Sequence, residues 1–152
     1  MNKIIISDTS CLIALSNIDQ LSILKDLFKE VIITEEVKDE FGDELPIWIK
    51  TQTAKDIGRK KDLEAILDKG EASSIALSLE IENSLLIIDE SKGRKIANSL
   101  NLQIIGTIGV LILANKKGLI KDLISVILKL VNKGFRLSDS LVSKIIDQYG
   151  MK

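Results

Sequence analysis

Three short apolar runs in this sequence end on a side chain able to do chemistry: Ile6-Ser7-Asp8, Ile88-Asp89 and Gly106-Thr107. If the three runs are neighbouring strands, Asp8, Asp89 and Thr107 converge on one edge of a sheet. In open α/β sheets, ligands bind outside the carboxyl ends of the strands, where the strand order reverses. Carboxylates brought together there repel unless a proton or a cation lies between them. A magnesium ion would remove the repulsion, activate water and brace a phosphate oxygen. Each acid alone also has a plain structural reading, because Asp at a strand end often caps the next helix. Their shared location favours a site.

Two helical carboxylates complete the set. Glu71 follows Gly70 at the start of a helical pattern, which places it on the same rim if the helix begins there. A first-turn acid also answers the helix dipole. In the run Glu35 to Glu40, Glu36 and Glu40 share a face at i, i+4. Glu40 precedes Phe41 and so borders the core, but spacing alone does not choose between the two. Lys92, Arg94 and Lys95 follow Asp89 on the next helical stretch and are the candidate phosphate-binding residues beside the acids. A solvated helix face explains them equally well. Lys116, Lys117 and Lys121 form another short basic cluster.

The rest of the inventory narrows the chemistry. The chain has no histidine and a single cysteine, Cys11. That excludes a Ser-His-Asp triad, a Cys-His pair, histidine zinc sites and thiolate clusters. Carboxylate oxygens are hard ligands, so the candidate metals are magnesium or manganese. Neither glycine-rich phosphate loop occurs. Cys11 reads as a small core residue, and Trp48 and Tyr149 are too isolated to form a platform for stacked bases.

The elements that must position these residues follow from periodicity. Continuous apolar or β-branched runs at 3–7, 31–34, 85–88 and 103–106 predict strands buried on both faces, and a shorter extended piece is predicted at 49–53. Apolar spacings of three and four predict helices over 10–28, broken near Ser16-Asn17, and over 36–41, 59–67, 71–82, 90–100, 108–117, 119–132 and 138–148. Thr34 or Glu35 caps the second of these. The stretch 42–48, which holds the only proline, Pro46, reads as a loop, and 68–70 reads as a break. Strand–helix alternation implies an α/β fold with a mainly parallel sheet and helices on both faces. At 152 residues the chain is read as a single domain, with about 119–152 a helical C-terminal extension.

Composition sets outer bounds. With 45% hydrophobic residues and few aromatics the core must be aliphatic, and disorder is excluded. Lys and Arg number 21 against 22 Asp and Glu, which excludes a globally basic nucleic-acid clamp but not a local basic patch. One cysteine suits a reducing cytoplasm. Neither a signal-peptide layout nor a membrane-length apolar run is expected.

The ordered motifs resemble the PIN-domain family. Asp8-Thr9-Ser10 after an apolar strand resembles the PIN opening, and Val37-Lys38-Asp39-Glu40 resembles the V-x-x-E of its second helix, which favours Glu40 over Glu36. Gly70-Glu71-Ala72, Leu86-Ile87-Ile88-Asp89-Glu90 with Gly93-Arg94-Lys95-Ile96-Ala97, and Gly106-Thr107-Ile108-Gly109 extend the likeness. Gly118-Leu119-Ile120 and Gly134-Phe135-Arg136-Leu137-Ser138 resemble the tail of a prokaryotic PIN branch.

The resemblance implies a three-layer α/β/α sandwich with strand order 3-2-1-4-5 and Mg2+- or Mn2+-dependent RNA cleavage, as in VapC-type toxins. It also implies a homodimer and a small antitoxin partner, and the apolar stretch Leu119–Val131 supports the dimer. Carried over by motif, the catalytic and metal-site acids are Asp8, Glu40, Glu71 and Asp89, supported by Thr9, Ser10, Glu90 and Thr107. Many PIN toxins carry Asp where Glu71 stands, and Glu90 adjoins Asp89, so which of that pair turns inward stays open. The expectation is a cytoplasmic endoribonuclease. Its rivals are a PIN scaffold that binds without cleaving and a magnesium-dependent phosphotransfer or phosphatase domain. The latter is disfavoured by Ser10 where a dehalogenase-type site needs a second Asp, and by Thr107 where receiver domains carry Lys.

Overall fold

The computed structural model describes residues 3–149, so the last residues of the expected tail, 150–152, lie outside the described residues. The chain runs β1 (Ile4–Ser7), α1 (Thr9–Asn17), α2 (Ile23–Leu27), β2 (Glu30–Ile33), α3 (Glu35–Phe41), β3 (Ile49–Thr51), α4 (Ile57–Glu64) and α5 (Lys69–Glu80). It continues through β4 (Ser84–Ile87), α6 (Ser91–Ser99), β5 (Ile104–Ile105), α7 (Thr107–Lys116), α8 (Leu123–Asn132) and α9 (Asp139–Tyr149). All strand pairs are parallel and the order is β3-β2-β1-β4-β5. The fold is the α/β sandwich that the sequence implies.

Strand side chains alternate between two cores, as the period of two requires. Ile5, Val31, Ile33, Leu85 and Ile87 face one layer with α1, α2, α7 and α8. Ile6, Ile32, Leu86 and Ile88 face the other, with α4, α5 and α6. The continuous apolar runs in β1, β2 and β4 are the direct consequence: both faces are covered, so no polar alternation is tolerated.

Element boundaries depart from the periodicity where backbone geometry intervenes. The first helical stretch divides into α1 and α2 around Asp19, whose φ of 56° is left-handed. The predicted helix at 119–132 begins only at Leu123, because Gly118, at φ +79° just beyond the end of α7, turns the chain and Asp122 caps α8 through the Ser125 N–H. α8 and α9 contribute Leu123, Val126, Ile127, Leu130 and Ile145 to the core shared with α1 and α7. The tail thus closes one face of the sandwich.

α5 is buried through nine successive residues, Gly70 to Ser78. A helix buried all round needs neighbours on every side. Here they are β1, β4, α3, α4 and α6. Its small residues Gly70, Ala72, Ser73, Ser74 and Ala76 give α3 and α4 room to pack closely against it.

Candidate functional site

β1 is the central strand, with β2 on one side and β4 on the other. The chain reverses its direction of growth here, so the carboxyl ends of β1 and β4 bound the crevice where open parallel sheets bind ligands. Register aligns Ser7 with Ile87 and Ile87 with Ile105, so Asp8, Asp89 and Thr107 all emerge at one edge.

Asp8 serves both of its readings at once. It caps α1, with Oδ1 accepting the Cys11 N–H at 2.9 Å, and Oδ2 accepts the Asp89 N–H at 3.3 Å. It remains buried yet lines a pocket of about 440 Å³ together with Thr9, Ser10, Ile13, Glu40, Asp68, Glu71 and Glu90.

Glu40 reaches this pocket from α3. Thr9 Oγ1 donates to Glu40 Oε1 at 2.7 Å, and the α-carbon of Gly70 faces the same carboxylate. A Cβ at Gly70 would collide with Glu40 Oε1, so glycine is what admits the acid. Glu36 instead pairs with Lys60 of α4 at 2.8 Å. The two acids share a helix face but diverge at their tips, and Glu40 is the inward one. α3 is tied to α5 behind the pocket. Ser73 Oγ donates to the Gly70 carbonyl at 3.0 Å, so its contact with Thr34 Oγ1 at 2.7 Å uses the threonine proton. Thr34 also accepts the Val37 N–H and so caps α3.

Glu71 does not open α5. The helix starts at Lys69, and Asp68 is its cap, accepting the Glu71 N–H at 2.8 Å. Asp68-x-x-Glu71 has the form of a capping box, with Asp in place of the usual Ser or Thr. That spacing is the one sequence signal that could have singled out Asp68, since 68–70 reads as a break on composition alone. The box brings two carboxyls together, and Glu90 from the β4–α6 junction joins them. Oxygens of Asp68, Glu71 and Glu90 lie within 4.8 Å of one another. Gly93 of α6 leaves the space for this, since a Cβ there would stand 2.8 Å from Glu71 Oε2.

Asp89 behaves differently from its expected role as a pocket acid. Its Oδ1 accepts the Thr107 N–H at 2.8 Å and its Oδ2 accepts the Thr107 hydroxyl at 2.6 Å. The carboxylate caps α7 from outside and turns into a neighbouring cleft, and Glu90 lines the acid pocket in its place. Asp89 still touches the site through its N–H on Asp8. Among the candidate phosphate-binding residues, Arg94 donates to the Ile88 carbonyl at 2.7 Å and lines the cleft beside Asp89. Lys92 and Lys95 are exposed on α6 and line neither space.

The electrostatics follow from crowding like charges in a half-closed pocket. Burial pushes the Asp8 carboxyl up to about 7, against the lowering effect of the Cys11 N–H, and the Asp89 charge adds to the rise. Burial likewise pushes Glu71 up to about 8, reinforced by its hydrogen bond and charge contact with Asp68 and then by Glu90. Burial above all, with the nearby Asp8 charge, holds the Cys11 thiol far above its ordinary range, so it stays protonated and inert. No lysine or arginine forms an ion pair with the five pocket acids among the described residues. An all-oxygen donor set of this density fits a hard divalent cation: Asp68, Glu71 and Glu90 form the closest group, with Asp8 and Glu40 on the same wall.

No described helix is long and apolar enough to cross a membrane. Comparison with curated proteins and with solved structures finds no match. The sequence profile described as a PIN domain matches residues 4–151. Proteins of this fold are generally nucleases that use divalent metals on nucleic acid, and the chain belongs to the PIN-domain family.

Proposed function

We propose that this protein is a magnesium- or manganese-dependent endoribonuclease. The observation that carries the reading is the set of five carboxylates, Asp8, Glu40, Asp68, Glu71 and Glu90, facing one pocket at the β1–β4 crevice without a cationic partner among the described residues. A divalent cation held there supplies Lewis-acid polarisation of a phosphodiester oxygen and acidification of water. The chain's own residues prepare the site. Thr9 fixes the Glu40 carboxylate, Asp68 fixes the first turn of α5, and Thr107 fixes Asp89, whose N–H steadies Asp8. Asp8 and Glu71 must give up their protons for the cluster to bind a cation, so binding strengthens as pH rises.

The resemblance to VapC-type toxins supports the finer reading of a cytoplasmic toxin, paired with a small antitoxin and working as a homodimer. The test is a titration of Mg2+ and Mn2+ against cleavage of a labelled RNA by the full chain and by Glu71→Gln. Cleavage that needs the metal and is lost in the variant is expected. Failure of the purified wild type to cleave any of a set of structured and single-stranded RNAs at saturating metal would sink the nuclease reading. A non-cleaving PIN scaffold is the alternative. It is favoured by the capping duties of Asp8 and Asp89, which give both acids a structural occupation.

A further inference from the structure

The acid pocket solves one problem of RNA cleavage and creates another, because five carboxylates repel the phosphates they must act on. Affinity has to come from beside the pocket. A narrow groove of about 220 Å³ adjoins it, sharing Ser10 and Ile13 as a common wall, and is otherwise lined by Ala14, Asn17, Leu130, Lys133, Gly134 and Phe135. Phe135 also walls the cleft of Asp89, Arg94 and Arg136. The aromatic ring therefore stands between two clefts, with Lys133, Arg136 and Arg94 around it.

Its position is fixed by the backbone. Gly134, at φ +99°, ends α8: the Gly134 N–H bonds the Val131 carbonyl at 3.0 Å and the Phe135 N–H bonds the Leu130 carbonyl at 3.0 Å. This is a Schellman ending, in which only glycine takes the left-handed position without strain and the following apolar residue is set against the last turn. Phe135 is accordingly half-buried against the core while Lys133 and Arg136 are exposed. A held aromatic flanked by cations is what single-stranded nucleic acid needs: a face for one base and charges for the adjoining phosphates.

We propose that the turn Lys133–Arg136 is a single-strand RNA subsite of the acid pocket, where a base lies against Phe135 and the flanking phosphates meet Lys133 and Arg136. This rests on the nuclease reading but has its own readout, binding measured apart from cleavage. The probe is a fluorescein-labelled oligouridine, followed by anisotropy in chelator with the full chain. Phe135→Leu, which keeps an apolar side chain at the core, should weaken binding roughly ten-fold. Phe135→Trp should restore it. Arg136→Gln should reduce the slope of log K against log salt by about 0.7, the value for one lost single-strand phosphate contact. If Phe135→Leu melts early, Lys133→Gln and Arg136→Gln carry the test, since both side chains are exposed.

Wild-type binding in Phe135→Leu, or equally tight and Phe135-independent binding of duplex RNA, overturns the subsite. Dissociation of an oligomer by Phe135→Leu, with RNA binding unaltered, would make the groove an interface between copies instead. Metal-dependent cleavage with an unchanged KM in the Phe135→Leu chain would leave the nuclease reading intact and remove this inference. Phe135-dependent binding without cleavage under any metal would do the reverse.

Discussion

At the residue scale, the two glutamates of α3 offer the cleanest separation of site from scaffold. Glu40 lies on the pocket wall against Thr9 and Gly70, whereas Glu36 holds Lys60. Glu40→Gln is therefore expected to reduce metal-dependent cleavage at least as much as loss of an outer-sphere partner does elsewhere, roughly 10–100-fold. Glu36→Gln should leave turnover intact and cost at most about 1 kcal/mol, as befits a partly exposed ion pair. Parallel rate and melting measurements on both variants check this, and equal rates for the two would remove Glu40 from the site. Asp8 is subtler because it is both cap and pocket acid. Asparagine retains an oxygen for the Cys11 N–H, but its amide group opposes the Asp89 N–H. Burial raises the Asp8 carboxyl to about 7, so above that pH the wild type carries a buried charge that Asn lacks. Asp8→Asn should thus abolish cleavage while making the metal-free protein more stable at pH 8, by up to about 4 kcal/mol less what the opposed Asp89 N–H costs. A lower melting temperature of the variant in chelator at pH 8 would show that capping outweighs desolvation.

At the element scale, the site is a matter of how closely α1, α3, α5 and α6 approach. Gly70 is the tightest point, where the first turn of α5 passes over the Glu40 carboxylate. Alanine there favours a helix by about 1 kcal/mol over glycine, and the atom in its way is the mobile end of a side chain. Gly70→Ala is therefore expected to fold with stability within about 1 kcal/mol of wild type, yet to push Glu40 off Thr9 and lose cleavage. Retained cleavage would mean that Glu40 need not occupy its present position. The parallel sheet and most helices were legible in the sequence because continuous aliphatic runs and three-four spacing report burial directly, as in Ile4-Ile5-Ile6 and Leu85 to Ile88. The strand-end acids were legible for the same reason. What periodicity does not carry is direction beyond the Cβ. Asp89 and Glu90 are adjacent, and only the N-terminus of α7, with Thr107 offering N–H and hydroxyl, draws Asp89 away and leaves Glu90 to the pocket. Asp68 escaped notice because Asp-Lys-Gly resembles a turn until the cap-to-Glu71 bond is seen.

At the scale of the whole molecule, the acid cluster sets how stability depends on pH. Acid denaturation ordinarily follows from carboxylates that are stabilised as anions in the fold and must be protonated. Asp8 and Glu71 are the reverse case: their ordinary values of 3.8 and 4.5 rise to about 7 and about 8 in the folded chain. A raised folded pKa means the folded state binds the proton more tightly than the unfolded one. The stability this confers is fully present below about pH 4 and is lost as pH rises through about 7 to 8. The metal-free protein should therefore melt higher at pH 5.5 than at pH 8.5. A divalent cation replaces those protons and should narrow the difference. At a hundred-fold excess over Kd it adds about 2.7 kcal/mol, a rise of roughly 5–10 °C for a chain of this length, and the rise should be larger at pH 8.5 than at pH 5.5. Melting curves at both pH values, in chelator and in Mn2+, contain the full test. Glu71→Gln should weaken both dependences together and leave the share due to Asp8, because the Glu71 carboxyl takes part in holding both the proton and the cation. A cation-induced shift that survives Glu71→Gln unchanged would place metal binding somewhere other than this pocket.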